Sequence, residues 1–160
     1  MREIHLTNGD IALVDDNDFE SLSKYTWQLS QKGYARRQWT DKNTGKKMEI
    51  FMHRQILGLT HLDGIFTDHI DGNRLNNQRS NIRTCTLAEN NRNRRVGKNS
   101  STGLKGVFRR ARAKGDRFIA SITFNNRIIY LGTFDTPEDA HKSYCTAAKR
   151  LYGEFASSGE

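Results

Sequence analysis

The chain has few cysteines and prolines and no long apolar run. Its two cysteines, Cys85 and Cys145, stand far apart and form no Cys-x-x-Cys pair, which argues against a thiolate zinc site and against a disulfide framework. A bilayer-spanning helix needs about 20 apolar residues, and the sequence has no such run. The polar start at residues 1–3 also lacks the apolar core of a signal peptide. We therefore expect a cytoplasmic protein in a reducing environment, with no membrane contact.

Basic residues outnumber acidic ones in this sequence. The 160 residues include 26 Lys and Arg against 18 Asp and Glu, which gives a net charge of +8. The excess is concentrated between Glu89 and Asp116, where every charged residue is basic. Such a distribution is typical of proteins that bind nucleic acid. Within it, residues 92–103 have no apolar periodicity, so they form either a solvated linker or a segment that lies along phosphates.

The first 57 residues predict short strands separated by turns. Asn8-Gly9 stands between the apolar segments 4–6 and 11–14, and it is typical of a tight hairpin because both residues tolerate positive φ. A short helix is predicted over residues 16–22. Three acidic residues surround its start, and they are either a metal cluster or charges that stabilise the helix dipole: Asp15, Asp16 and Asp18. We favour the second interpretation, since acidic residues commonly occupy the first turn of a helix.

Residues 62–95 predict a strand, a long polar reversal, a second strand and a helix. The strands cover 62–69 and 81–85, with the reversal at 70–80 between them. Thr86 and Glu89 have the spacing of a capping box, in which two side chains satisfy the first backbone amides of a helix. A strand, strand and helix in this order form a ββα unit, which can bring side chains of the first strand and of the helix to one point.

Four polar residues of this unit have the chemistry of a phosphodiester-hydrolysing site. His69 is the residue type that activates water near neutral pH, and Asn81 is a candidate to orient its imidazole. Asp68 and Asn90 offer hard oxygen ligands, a set that favours Mg²⁺ over zinc. Neighbouring residues on a regular strand point to opposite faces, so Asp68 and His69 predict an irregular strand end. Taken alone, the stretch 68–72 is also compatible with a simple capped turn.

Residues 104–160 predict a second unit, with three strands followed by one helix. Thr136 can cap the helix, Pro137 suits its first position, and Gly153 ends it. Small and apolar residues recur along the helix at a spacing that should face a sheet: Ala140, Tyr144, Ala147, Ala148 and Leu151. The opposite face of the sheet is predicted to be basic and polar, with an aromatic in it. Such a face fits the major groove of DNA.

The segment DHIDGNRLNNQRSNIRTCTLAEN resembles the HNH nuclease motif of phage- and intron-encoded homing endonucleases, in the variant with Asp and Asn as metal ligands. The resemblance implies that His69 is the general base, that Asn81 is the central Asn of the motif, and that Asp68 and Asn90 bind one divalent cation. Mg²⁺ is the expected cation, and Mn²⁺ can replace it. Met52-His53-Arg54 resembles a His-Arg pair of the same family, so His53 and Arg54 are auxiliary candidates. The host implied is a bacterial or phage-infected cell.

Residues 104–156 resemble the Apetala or ethylene-response-factor type DNA-binding domain, through GVFRR, RFIASI, YLGTFDTPEDA and AAKRLYGEFA. Phe108 and Ile128 depart from this likeness, because they stand where plant relatives carry arginines. The resemblance and the basic run together imply a set of DNA-binding residues: Arg94, Arg95, Lys98, Lys105, Arg110, Arg112, Thr123 and Tyr130.

These observations predict an α+β protein with a strand-rich ββα-metal nuclease domain at 1–91, a basic linker at 92–103, and a three-stranded antiparallel sheet packed on one helix at 104–160. The expected function is metal-dependent hydrolysis of phosphodiester bonds in double-stranded DNA, by nicking or double-strand cutting, as a site-directed homing endonuclease. A monomer is favoured over a dimer. The alternative is a non-catalytic DNA-binding or regulatory protein with a degenerate nuclease fold.

Overall fold

A computed structural model describes residues 1–60, 62–94, 96–97, 99–113 and 115–159. The fold mixes helices and strands, and the chain divides into two compact units, Met1–Leu87 and Ala88–Glu160. The strands are β1 (Arg2–His5), β2 (Ile11–Val14), β3 (Gln28–Leu29), β4 (Ala35–Thr40), β5 (Lys47–Phe51), β6 (Phe66–His69), β7 (Ile82–Cys85), β8 (Val107–Arg110), β9 (Arg117–Phe124) and β10 (Arg127–Phe134). The helices are α1 (Asp16–Leu22), α2 (Met52–Ile56), α3 (Leu87–Arg92) and α4 (Pro137–Tyr152), followed by a 3-10 turn at Gly153–Phe155. None of the helices in the described ranges has the length and apolar character needed to cross a membrane.

The first unit contains three antiparallel sheets, β1-β2, β3-β4-β5 and β6-β7. The predicted hairpin is confirmed: β1 and β2 pair, and Gly9 has the positive φ of 92° that the turn requires. The predicted helix is confirmed as α1. The buried apolar side chains that form the core come from the hairpin, α1, α2 and the strands: Ile4, Leu6, Ala12, Val14, Leu22, Trp27, Ala35, Met52, Ile56 and Ile82. The indole of Trp27 is buried among them, and its Nε1 donates to the Leu22 carbonyl at 2.9 Å.

The second unit is a three-stranded antiparallel sheet, in the order β10-β9-β8, with α4 packed on one side. Ala140, Tyr144 and Ala148 of α4 are buried against Ala120 and Ile122 of β9, as the helical spacing predicts. The cap of α4 is also confirmed, since the Thr136 side chain accepts from the Asp139 amide at 3.2 Å and Pro137 opens the helix. The β9–β10 turn consists of Asn125 and Asn126, both at positive φ, which matches the twist of a two-residue hairpin.

The segment expected to be a linker has contacts within the second unit. The Lys105 ammonium donates to the backbone carbonyls of Arg92 and Arg94, the latter at 2.7 Å. The Arg92 guanidinium lies 4.8 Å from the centre of the Tyr152 ring, a cation–π contact. The Val96 amide also donates to the Gly159 carbonyl. These contacts join Arg92, Arg94 and Val96 to other residues of the second unit, a feature that the polar composition of the segment did not indicate.

Gly106 is the tightest backbone position of the second unit. Its φ is 73°, and a Cβ built there would overlap the ring carbons Cδ2, Cε2 and Cγ of Tyr144. Since Tyr144 is buried between α4 and the sheet, the ring has little room to move away. Gly106 therefore permits α4 to approach the start of β8.

Gly106→Ala should destabilise the second unit more than Gly103→Ala. Both positions have positive φ, which costs alanine about 1 kcal/mol, but only Gly106 adds an overlap, which costs about 1–3 kcal/mol more. Hydrogen exchange of the Ala120 and Ile122 amides measures this loss. Both tryptophans, Trp27 and Trp39, lie in the first unit, so the fluorescence unfolding transition serves as the internal control and should stay in place. Equal exchange in the two variants would contradict the proposed role of the Tyr144 ring.

Candidate active site

The polar reversal between β6 and β7 is held by hydrogen bonds between its own side chains. The Asn81 side-chain oxygen accepts from the Asp71 amide at 3.0 Å, and its amide group donates to Asp71 Oδ1 at 2.9 Å and to the Asn76 carbonyl at 2.8 Å. Asp71 also accepts from the Asn73 backbone amide and from the Asn76 side chain. Burial would raise the pKa of Asp71, but these hydrogen bonds outweigh burial and lower it. Asn81 therefore closes the loop that follows His69.

The reversal is also attached to the hairpin and to α1. The Leu13 amide of β2 donates to the Leu75 carbonyl, and the Asn77 amide donates back to the Leu13 carbonyl, each at 2.8 Å. On the α1 side, the Arg79 guanidinium contacts both oxygens of Asp18, at 2.9 and 2.7 Å.

The acidic residues at the start of α1 thus have partners that the sequence did not reveal. Asp18 binds Arg79, Asp15 accepts from the backbone amide of Arg79 at 2.8 Å, and Asp16 contacts the N-terminal ammonium. The preference for a structural role over a metal cluster agrees with these contacts. Among the described residues, no three His, Cys, Asp or Glu side chains gather in a group that could hold a metal ion.

His69 is buried at the end of β6, with 5% of its surface exposed. Its Nε2 lies 3.3 Å from Oδ1 of Asn77, and the Asn77 amide nitrogen donates to the Leu75 carbonyl at 3.1 Å. Because the Leu75 carbonyl can only accept, it fixes which end of the Asn77 amide faces His69. An amide oxygen likewise only accepts, so the imidazole carries its proton on Nε2. The ring nitrogen that can take up a proton is then Nδ1.

Aromatic rings surround the His69 imidazole within the first unit. His53 packs against it edge-on at 4.9 Å between ring centres, and Tyr34 lies at 5.8 Å. His53 in turn stacks on Phe51 at 5.7 Å. This surrounding lowers the pKa of His69, mainly through burial, although the Asn77 hydrogen bond and the nearby Asp71 and Asp68 charges act in the opposite direction. The imidazole is thereby favoured in its neutral form.

The auxiliary pair His53 and Arg54 has different surroundings for its two members. His53 is buried, its Nδ1 has no hydrogen-bond partner, and burial together with His69 and Arg54 lowers its pKa to about 3. Arg54 donates to the carbonyls of Ile65, at 2.6 Å, and Thr60, at 2.5 Å, so it holds the loop before β6. Arg54 thus contacts the backbone before β6, and His53 contacts the ring of His69.

Asp68 is buried and forms an ion pair with Arg83, its cross-strand partner on β7. Arg83 Nη2 lies 2.9 Å from Asp68 Oδ2, and both side chains are largely shielded from solvent. The expectation of an irregular strand end is wrong: β6 pairs with β7 in continuous register through Asp68↔Arg83 and His69↔Ile82, and the Ile70 amide still bonds the Asn81 carbonyl. The strand stays regular because the chain turns only after His69, in the loop that is closed by the hydrogen bonds between Asn81 and Asp71. Asp68 and His69 therefore leave opposite faces of the ribbon.

The remaining predicted residues belong to the second unit. Asn90 is half-buried on α3, whereas Asp68 and His69 lie in the first unit. The exposed members of the predicted DNA-binding set are Arg94, Arg110, Arg112, Thr123 and Tyr130. Lys105 is half-buried, and its ammonium is turned to the backbone of 92–94 as described above; burial lowers its pKa. Arg95 and Lys98 lie outside the described residues.

Sequence reasoning missed Asn77 and Arg83. Both belong to a run of polar residues, 73–83, that contains several other Asn and Arg residues. A signal existed for Arg83, because it stands within the second predicted strand and could have been paired with the carboxylate of the first. For Asn77 no pattern in the sequence shows that it is fully buried.

The chain was compared with known proteins. No family model matches it. It is 31% identical over 150 residues to a protein of Acanthamoeba polyphaga mimivirus that is described as "Uncharacterized HNH endonuclease L560", and the alignment covers 93% of this chain and 74% of the relative. The matched region therefore includes residues of both units. The chain belongs to the HNH endonuclease family. The likeness of 104–156 to the Apetala type domain stays a prediction.

The buried His53 should make the first unit sensitive to acid. Its folded pKa of about 3 lies below the ordinary value of 6.5, so the unfolded chain takes up a proton that the folded chain refuses. The contribution of neutral His53 to the free energy of unfolding is then fully present above pH 6.5. The free energy of unfolding should fall by about 2 kcal/mol between pH 8 and pH 5 from His53 alone. Urea titrations followed by tryptophan fluorescence measure it. His53→Phe removes this titrating group, so its free energy of unfolding should decrease less between pH 8 and pH 5 than that of the unsubstituted protein, with the value at pH 8 as the reference. Equal decreases in the two proteins would show that His53 is accessible to protons in the folded chain.

Replacement of Asn77 should allow the His69 ring proton to occupy either nitrogen. In Asn77→Leu the oxygen that faces Nε2 is gone, so nitrogen-15 NMR of the imidazole should change from Nε2-protonated to a mixture of tautomers, with a stability loss of about 1–3 kcal/mol. Gln78→Leu is the matched control, because Gln78 is the next residue and its side chain bonds Asp15. A His69 spectrum that is the same in both variants would show that Asn77 does not set the tautomer.

Proposed function

We propose that this protein is an endonuclease that hydrolyses phosphodiester bonds in double-stranded DNA, with His69 as its general base. Membership of the HNH endonuclease family and the net charge of +8 support a nucleic-acid substrate. The observation that carries the assignment of the base is the contact of His69 Nε2 with Asn77 Oδ1. It supports an imidazole that is held in one orientation with Nδ1 as the proton acceptor.

In the proposed reaction, Nδ1 of His69 removes a proton from the water that attacks phosphorus. A general base works best when it is unprotonated at the working pH and fixed in direction. The lowered pKa of His69 supports the first condition, and Asn77, Tyr34 and His53 support the second. The bond from phosphorus to the 3′ oxygen breaks as the bond to the water oxygen forms, and the 3′ oxygen takes up a proton from solvent. The products would carry a 5′ phosphate and a 3′ hydroxyl.

The resemblance to the HNH motif implies that Asp68 and Asn90 are the ligands of one divalent cation, Mg²⁺ or in its place Mn²⁺. A carboxylate and an amide oxygen fit a hard cation better than zinc. When bound, such an ion offsets negative charge on the phosphate and on the leaving oxygen. Arg83 bears on this fit directly, because its guanidinium contacts Oδ2 of Asp68, and a cation would share the carboxylate with it. Arg83 would keep the Asp68 carboxylate in a fixed orientation.

The second unit would bind duplex DNA through the outer side of its sheet and so direct cleavage to a site, as in a homing endonuclease. Arg110 is exposed at the end of β8, Arg112 is exposed two residues beyond it, and Thr123 and Tyr130 are exposed on β9 and β10. Arg94 would add a further phosphate contact. The resemblance to the Apetala type domain supports this arrangement, and the positive charges would make the binding weaken with salt.

Two observations favour the alternative, a DNA-binding protein without catalysis: Asp68 forms an ion pair with Arg83, and Asp68 and His69 leave opposite faces of the β6–β7 ribbon. A carboxylate committed to a guanidinium binds a cation less readily, and a buried pair of this kind is costly to separate. Supercoiled plasmid distinguishes the two functions. Relaxed or linear product with Mg²⁺ and not with EDTA supports the endonuclease, whereas intact plasmid with Mg²⁺ and with Mn²⁺ supports the alternative.

His69→Ala should bind DNA as the unsubstituted protein does but cut at least about a hundredfold more slowly, since a general base contributes about 10²–10⁴ in rate. The rate is measured on supercoiled plasmid with Mg²⁺, and binding by titration of a labelled duplex with EDTA present.

His5→Ala is the matched control, because His5 is an exposed histidine of β1 in the same unit. It should cut at the original rate. Cleavage by a purified His69→Ala protein at the rate of the His5→Ala protein would exclude His69 as the base.

A further inference from the structure

The outer side of the second sheet carries a patch of large apolar side chains. Phe108 of β8 and Ile128 and Tyr130 of β10 are 57%, 77% and 63% exposed. Their cross-strand partners on β9 place them on the side opposite α4: Phe108 pairs with Ile119, Tyr130 with Ser121 and Ile128 with Thr123, whereas the alternate residues Ala120 and Ile122 are buried against the helix. Single exposed apolar residues are ordinary, but three on one face form a patch that indicates a binding surface.

The charge around this patch identifies its partner as a polyanion. In residues 104–135 the basic residues outnumber the acidic ones seven to two. Both acidic residues are already in ion pairs, Asp116 with Arg109 and Asp135 with Arg117. Arg110 is exposed two residues beyond Phe108, and Arg127 is exposed next to Ile128. An apolar centre between cationic ends matches a DNA groove, where phosphates border the bases.

We infer that Phe108, Ile128 and Tyr130 contact thymine methyl groups in the major groove, so that this protein selects thymine-containing sites. The inference rests on the proposed function in that the polyanion is duplex DNA. In the major groove thymine alone among the four bases presents a methyl group, and apolar side chains recognise it by direct contact. Arginine, by contrast, donates to guanine O6 and N7, and neither Phe nor Ile can make that contact.

The spacing of the patch sets the length of the site that it reads. The positions opposite Ile119 and Thr123 are separated by four residues of β9, a distance of about 13 Å along a strand. Bases along one DNA strand are about 3.4 Å apart, so the patch spans about four base pairs. The contacted methyl groups should therefore fall within one short run and not at separate half-sites.

The test begins with selection of binding sites from a randomised duplex library by full-length His69→Ala protein with EDTA present. Each thymine of the selected site is then replaced by deoxyuridine, which removes the methyl group and keeps base pairing. We expect about a fourfold loss of affinity for each contacted methyl group, within a run of about four base pairs. The double variant Phe108→Ser plus Ile128→Ser should bind the thymine and deoxyuridine duplexes equally.

Leu62→Ser is the matched control, because Leu62 is an apolar residue of the first unit that is 80% exposed. It should keep the preference for thymine. The inference is overturned if selection enriches no sequence, if deoxyuridine costs no affinity, or if the double variant keeps the preference. It is also overturned if light scattering shows a dimer that the double variant converts to a monomer, since the patch would then bind a second copy. A protein that cuts plasmid but has no thymine preference before the apolar residues are replaced refutes this inference alone. A protein that prefers thymine but does not cut plasmid refutes only the proposed catalysis.

Discussion

The fold around the candidate active site depends on one buried amide, that of Asn77. Its backbone joins the reversal to β2, its side-chain nitrogen is bound by the Leu75 carbonyl, and its oxygen faces the imidazole of His69. A fully buried polar side chain is stable only when its donors and acceptors are satisfied, so these contacts must form together. The position of His69 is consequently tied to the folding of the N-terminal hairpin. A loop rich in Asn can be rigid for this reason, although its composition is that of a flexible turn.

The two faces of the β6–β7 ribbon differ in their side chains: one carries a buried imidazole and the other carries an ion pair. On one face, His69 lies among Tyr34 and His53, where burial favours a neutral ring. On the other, Asp68 is paired with Arg83, and both side chains are largely shielded from solvent. A neutral base and a charged carboxylate on consecutive residues are thus separated by the strand itself. Asp68 and His69 thus have different surroundings, although the nearby Asp68 charge still acts to raise the pKa of His69.

The second unit separates its functions by the alternation of its strands. The side of the sheet that faces α4 packs against small helix residues, Ala140 and Ala148, and Gly106 lets the Tyr144 ring approach the backbone. The other side keeps large apolar residues in solvent between arginines. Ile129 lies on the helix side by register yet is 38% exposed, because β10 is an edge strand and a bulge between Tyr130 and Gly132 shifts its end.

Local pattern was sufficient to determine the elements of this protein: Asn-Gly and Asn-Asn turns fix hairpins through positive φ, and Thr136-Pro137 fixes the start of α4. Through the spacing of its motif, local pattern also proposes His69 as a site residue. The tertiary structure alone decided that Asn77 and not Asn81 faces the imidazole, that Asp68 binds Arg83, and that Asp15 and Asp18 hold the reversal. Propensity and spacing act between neighbours in sequence, whereas these contacts join residues from separate elements, and polar residues of one type become distinguishable only when packing buries one of them.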